Sequence, residues 1–539
     1  MKRKSNKQRQ APAASAKRRK VPAFFQGKKL WWASLALFFF FAWAWASWWM
    51  GDVFRIAYEH SFFATNATLM HFLLQQRFGW LWVVGRAVLT LYRWPLLGGL
   101  CVALMLTAMT WGLAQLLPKL SGKHFTFHIL RFSLSLIPAF TWMWWTADVG
   151  LNLYYMHEPG RIFATPLLVA VVLGTWAGIK VLINRKNEAD RINEANYGYL
   201  VYPLFTILCF TLPVLHLNNL HPFMRPLTRM QMQLLHNDYA GMSRTAHDHA
   251  DIGNRQIAGY YAIALARTGH LADQLFDIKL EFDTIRAFNY KGKPIQCLNY
   301  HTIDCNYHAG LIRAARHTAI EVLTMDGPTL FTLKLLAKIS LIEGDIEIAR
   351  KYLHIISKAP FESDFVNKYA PMVKRPDLVA ADPEFAAIIK ALPPHHTIEN
   401  FIERPCYLGY YARMRAFDDI EQLTWSTMAC LYSKRMPDFL MRCQHFIGST
   451  PPRYIAEGLV MQAPKHPEIL KAFPQIEMDL DRYNYFLQAA RPYKNETQHG
   501  AEVLYNQFHA YYPYYYYFGN QRSTRHPEDE EQQHKAGVN

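Results

Sequence analysis

The sequence predicts an all-α chain in two parts: about five transmembrane helices, then a domain of stacked helical hairpins. Three observations predict it. Apolar runs long enough to cross a bilayer all lie before residue 218. Beyond that point, small turn residues recur at nearly even spacing. Lysine and arginine crowd the first 29 residues and alternate loops, which sets an orientation.

The composition agrees with such a partition. The 539 residues are 51% hydrophobic and 15% aromatic, yet the mean hydropathy is only -0.08. These values coexist when apolar residues are segregated along the chain. The net charge is +16, but residues 1–29 hold 11 Lys and Arg and no acid, leaving +5 for the rest. The basic balance is therefore mainly that of a tail and is not evidence for a nucleic-acid-binding face, so no nucleic-acid partner is expected. Lys17–Lys20 could serve as a nuclear signal; beside a membrane span it reads instead as a topology determinant touching anionic headgroups. The seven cysteines form no CxxC pair and no disulfide framework. Cys101 and Cys209 sit in apolar runs as small hydrophobes.

After the basic cytoplasmic tail (1–29), the spans are placed at about 30–50, 94–117, 127–147, 163–183 and 200–217. Each matches a bilayer core of roughly 30 Å at about 1.5 Å per helical residue. Trp31, Trp32, Trp48 and Trp49 mark the two interfaces of the first. Ala44-Trp45-Ala46 offers a signal-cleavage pattern, but bulky Trp48 and Trp49 follow, so an uncleaved anchor is favoured. Arg131 and Lys180 lie near span ends, where long side chains snorkel; a voltage-sensing or substrate-binding role is the alternative for Arg131. The inside segments hold 16 Lys and Arg against 5 outside. The N-terminus is then cytoplasmic and the C-terminal domain faces outside. Phe78–Tyr92 is too short to span and contains Arg86, which suits an interfacial or re-entrant helix. As a sixth span it would move the C-terminal domain to the cytoplasm.

Beyond Leu217, turn-like stretches begin at Asn237, Gly269, Gly310 and Gly344, at intervals of 32, 41 and 34 residues. Glycine or asparagine tolerates the left-handed backbone that closes a helix. A small residue five positions later lets the return helix pack tightly. Gly344 fits best, with Leu336-Ala337 before it, Ala349 after it and Pro360 ending the unit; Gly310 has Ala315, Ala319 and Pro328. The first two are degenerate, with Met242 and Gln274 at the small position. These residues resemble the tetratricopeptide (TPR) family across about 226–361, which implies a TPR-like α-solenoid with a concave binding groove. A further degenerate hairpin is expected at Thr424–Gly448. The resulting layout is a transmembrane domain over 30–217, repeats over 218–361, further helices with a Tyr-rich end over 362–518, and a disordered tail over 519–539. As a whole it is similar to an uncharacterised family of bacterial polytopic envelope membrane proteins. That resemblance implies the inner membrane, with the C-terminal domain periplasmic, and lends no catalytic residues.

Four constellations invite chemistry. Cys297, His301, Cys305 and His308 carry a zinc-like spacing, but on the first helix of a hairpin they form one stripe about 16 Å long, which cannot close a tetrahedron. Helix packing is the favoured reading, and no metal or other cofactor is expected. His247 and Asp251 in HDHAD stand at i and i+4 and read as a solvated helix end. The outside loops carry Glu59, His60, Arg77, Arg86, Arg93, Asp148, His157, Glu158 and Arg161, the residue types an enzyme of lipid-linked phosphates needs. The Tyr511–Phe518 cluster is expected to pack back onto the chain. No Walker loop, nucleotide-binding glycine fingerprint, zinc-protease motif or nucleophile elbow is present.

The favoured function is a membrane-anchored interaction protein that holds a protein or peptide partner in the repeat groove, with Gln233, Tyr261, Arg267 and Lys334 as candidate contacts. The alternative is an envelope enzyme handling a lipid-linked sugar or phosphate, with Arg86, Arg93, Asp148, His157 and Arg161 as its site. The lipid bilayer is the other expected partner.

Overall fold

The computed structural model describes residues 27–75, 79–117, 126–149, 160–184, 208–213, 215–216, 222–280, 297–393 and 419–519, and every regular element among them is a helix. Helix α1 (Gly27–Ala44) continues through a π turn, Trp45–Trp49, into the short α2 (Gly51–Glu59). Then come α3 (Ala67–Gln75), α4 (Gly79–Thr90), α5 (Pro95–Leu116), α6 (Thr126–Val149) and α7 (Gly160–Asn184). Trp94 is extended and Pro95 opens α5. Proline favours this first position because its missing N–H would have no helical partner there.

Three of these helices are long and apolar enough to cross a membrane: Trp31–Trp49, Pro95–Leu116 and Phe163–Lys180. They stand where the first, second and fourth of the five expected spans were placed. Helix α6 stands where the third span was expected, but His128 and Arg131 interrupt its apolar character and Pro138 lies inside it. The fifth, over 200–217, falls largely outside the described residues, as do 1–26 of the tail. The segment around Arg86 is the helix α4, packed along α7. Helices α5 and α7 cross closely because position 112 is glycine: a Cβ there would lie 2.7 Å from Leu173. Lys180 reaches back across this pair and donates to the Gln115 carbonyl at 2.6 Å.

The remainder is built from consecutive helix pairs. Helices α8 (Met224–Leu235) and α9 (Tyr239–His247) are followed by α10 (Arg255–Thr268) with the one-turn α11 (Leu271–Gln274). Next are α12 (Cys297–His308) with α13 (Ile312–Asp326), and α14 (Leu330–Glu343) with α15 (Ile346–Ile356). The four residues expected to turn each pair all adopt the left-handed backbone: Asn237 at φ 56°, Gly269 at 77°, Gly310 at 77° and Gly344 at 79°. The segment after Pro360 forms α16 (Ser363–Lys374), α17 (Asp377–Ala381) and α18 (Pro383–Lys390). A later pair, α19 (Ile420–Tyr432) and α20 (Met436–Cys443), lies where a degenerate hairpin was expected. Seven more helical segments lead to the last helix described, Tyr512–Phe518.

These pairs do not share one core. The first two, α8 to α11, pack with the C-terminal helices around Tyr260, Tyr261, Tyr432, Tyr454 and Tyr512. Helices α14 to α18 instead join the core of the apolar block, where Leu330, Leu333 and Phe385 belong with Phe54 and Tyr92. A backbone bond from Leu330 N–H to the Ser61 carbonyl, 3.0 Å, ties α14 to the loop after α2. The tyrosine-rich end packs back on the chain: the Tyr512 and Tyr515 hydroxyls donate to the Leu431 and Tyr432 carbonyls.

Candidate functional site

Where α2 and α3's preceding loop meet the hairpins, a cavity of about 380 Å³ opens, walled by α2, α8, α12, α14, α16 and α18. Local sequence aims its side chains. Arg55 and Glu59 are one turn apart on α2, and Lys334 and Lys338 are one turn apart on α14. Both pairs therefore share a helix face. Helix α14 is started by a reciprocal cap between Thr329 and Thr332, which fixes its register. Asp382 caps α18 by accepting from the Glu384 and Phe385 amides, and so places Glu384 in the wall.

Two ion centres form there. In the first, the Lys334 ammonium lies 2.8 Å from Glu59 and 2.9 Å from Glu362, and Arg55 closes on Glu59 at 3.1 Å. The Tyr58 hydroxyl donates to the other oxygen of Glu362. The Glu59 and Glu362 side chains are only 3% and 1% exposed. In the second, Lys338 lies 2.8 Å from Glu384, which also accepts from the hydroxyls of Tyr307 at 3.0 Å and Tyr369 at 3.3 Å. Asp304, on α12, accepts from the Tyr260 hydroxyl at 2.8 Å. At the mouth, Arg93 pairs with Asp364 at 3.3 Å and Lys368 with Asp382 at 3.1 Å.

The electrostatics separate the carboxylates. Burial pushes Glu59 and Glu384 upward, but their cations outweigh it: Lys334 and Arg55 hold Glu59 below the usual range, and Lys338 with the Tyr307 hydroxyl holds Glu384 at about 2. At Asp304 burial outweighs the pull of Tyr260 and Lys338 and raises it to about 7. Burial holds His60 and His308 near 3, so both are neutral at pH 7. The Nδ1 of His308 and one terminal nitrogen of Arg55 are buried with no hydrogen-bond partner. Among the described residues no group of three His, Cys, Asp or Glu could hold a metal ion. The site is suited to binding a ligand that carries both charges, and Asp304 is suited to exchanging a proton near neutral pH.

The sequence candidates scatter. Lys334 lies at the centre of the cavity, and Arg93 at its mouth with Glu59 and His60 in its wall. Tyr261 is wholly buried and donates to the Gln274 carbonyl, so it presents no surface to a partner. Gln233 accepts from Thr245, and Arg267 donates to the His308 carbonyl behind the cavity. Those four therefore do not form one face. Arg86 is buried and donates to the Phe62 carbonyl. The side chains of Asp148, His157 and Arg161 lie outside the described residues. His301 and Cys305 touch at 3.5 Å inside the core on α12. Helix α9 ends at His247, which leaves Asp251 beyond it and breaks the expected i, i+4 pair. Lys338, Lys368, Asp304, Glu362, Asp364 and Glu384 were not foreseen. Two lysines four apart on the otherwise apolar Leu330–Leu341 run were the signal for the second centre.

An all-helical protein with a charged cavity between an apolar helical block and a set of helical hairpins is the class that fold and site define. A family of unknown function, DUF6057, matches residues 154–519, and the chain belongs to that family. No curated protein and no solved structure matches the chain.

Proposed function

We propose that the protein is a membrane-anchored interaction protein of the bacterial envelope, whose TPR-like hairpins and first helices together hold a charged segment of a polypeptide partner. The observation that carries this reading is the cavity at the junction. It sets Arg93, Lys334, Lys338 and Lys368 alternately with Glu59, Glu362, Asp364 and Glu384, between the aromatic faces of Phe331, Phe365 and Tyr369. Opposed charges at fixed spacing read a peptide by register more than by raw affinity. Membrane anchoring is supported by apolar side chains left open to the surroundings, such as Trp176 at 60% exposure, since patches of that kind need lipid or a partner. The test is co-purification of the full chain from crosslinked cells, wild type against Lys368→Glu. A protein partner enriched with the wild type and lost with the variant supports the reading; identical partner sets reject it.

A second reading has one observation in its favour, the Asp304 carboxyl poised near neutral pH in the same wall. It makes the protein an envelope enzyme on a lipid-linked sugar or phosphate, with Asp304 as acid–base group and Arg93 at the phosphate. If Asp304→Asn reproduces the envelope defect of a deletion while Lys368→Glu does not, catalysis is favoured over partner binding.

A further inference from the structure

The starting observation is an aromatic side chain in a backbone conformation that ill suits it. Phe361, in the turn between α15 and α16, has φ 66°. A left-handed backbone strains a side chain with a Cβ, and asparagine or glycine would make the same turn more easily. The ring belongs to none of the hydrophobic cores and is 42% exposed. Core packing does not explain it.

An aromatic neighbour does. The Phe361 ring meets Trp94 edge-on, 4.8 Å between centroids. Trp94 is the residue immediately before the apolar helix Pro95–Leu116 and is itself half exposed. The same level is marked from the other side of the block. The Trp43 indole donates to the Leu96 carbonyl, so the end of the first apolar helix and the start of the second lie side by side. Trp49, at that end, carries the Arg225 guanidinium 3.7 Å above its ring. Trp48, Trp94, Leu96 and Leu97 are all exposed there. Tryptophan collects at the headgroup level of a bilayer, where an amphipathic ring is half wet. Exposed Lys358, three residues before Phe361, adds a cation that suits phosphate groups.

We infer that the hairpin half lies against the bilayer surface and sets Phe361 into the lipid interface beside Trp94, so that phospholipid is a docking partner of the turn between α15 and α16. The inference rests on the membrane reading above, and it adds a contact made by a part of the chain that no apolar span supplies. The left-handed turn is what tips the ring outward, and the lipid contact is what offsets its strain. It also accounts for Arg93 and Asp364 at the cavity mouth, each within three residues of the interfacial pair.

The full chain is reconstituted in vesicles of phosphatidylethanolamine and phosphatidylglycerol doped with an alkyne-tagged phospholipid. Phe361, Leu104 and Met478 are replaced, one at a time, by the photo-crosslinking residue benzoylphenylalanine, which preserves an aromatic ring at 361. Leu104 is an exposed side chain in the middle of α5, and Met478 an exposed one far along the hairpin half. Lipid adducts at 104 and 361, several-fold above those at 478, are expected. Adducts at 104 with 361 no higher than 478 overturn the inference and leave the membrane reading intact. Adducts at 361 with a second copy of the chain in place of lipid also overturn it. Absence of adducts at 104 removes the membrane reading and the inference together.

Discussion

Helices α10 and α14 each open a hairpin that closes on a left-handed glycine, Gly269 in one and Gly344 in the other, yet they are buried in opposite ways. Helix α10 carries two buried tyrosines whose hydroxyls donate to a carbonyl and a carboxylate oxygen, Tyr261 to Gln274 and Tyr260 to Asp304. Helix α14 carries two lysines into a wall of carboxylates shared with α2, a helix some 270 residues earlier in the chain. The turn code is local and the same; the burial code is set by the partner. Hydroxyls satisfy a core whose neighbours are other hairpins, whereas full charges fix the one register in which the hairpins meet the apolar block.

The contrast can be broken most forcefully at its charged end. Lys334→Ala leaves Glu59 and Glu362 buried without their common cation, and removing one partner of such a centre costs about 3–5 kcal/mol. Thermal unfolding of the detergent-solubilised chain should show that loss, and replacing Glu59 and Glu362 by Gln in the same variant should restore part of it. An unchanged Tm for Lys334→Ala would mean the pairing contributes nothing.

Acid sharpens the same contrast. Glu384 is held at about 2 in the folded chain against an ordinary 4.5. Its contribution is present above the unfolded value and is lost as pH falls from about 4.5 toward 2, on the order of 3 kcal/mol in all. Asp304 runs the other way: raised from 3.8 to about 7, it favours the folded state while protonated, and that advantage fades as pH climbs through the interval. Urea unfolding followed from about pH 2 to 8 should show a decline between 3.8 and about 7 that Asp304→Asn removes. Lys338→Gln should flatten the acid side.

The smallest effect belongs to the tyrosine core. Tyr515→Phe forfeits one hydrogen bond to the Tyr432 carbonyl and should cost about 1 kcal/mol. It should also carry no pH dependence. A loss as large as that of Lys334→Ala would erase the distinction between the two cores.

Local chemistry made the turns and the apolar helices readable from sequence. Asn237, Gly269, Gly310 and Gly344 announce themselves because few residues tolerate a positive φ, and α5 and α7 because a bilayer-length apolar run is rare. The site was harder to see. Glu59 and Arg93 were noticed as charges near an apolar helix, and Lys334 as a hairpin residue, but nothing in the one-dimensional order places them 2.8 Å or one cavity apart. Asp304 was hidden inside the Cys297–His308 run, where the eye goes to cysteine and histidine. Its significance comes from burial that outweighs Lys338, a property of the packed neighbours. The four candidate contacts scatter for the same reason: the register of a hairpin says which helix a residue is on and not what covers it, so Lys334 faces the cavity while Tyr261 is enclosed by chain more than 150 residues away.

One backbone bond carries a final consequence. Because Leu330 N–H is fastened to Ser61, and Glu59 two residues earlier neutralises Lys334, the stretch of shared ancestry that begins at residue 154 borrows its electrostatic completion from sequence ahead of it. A fragment cut at that boundary would carry Leu330, Leu333 and Lys334 stripped of their counterparts, at once sticky and mischarged. The limit of family likeness in this chain is not a place where the polypeptide can be divided.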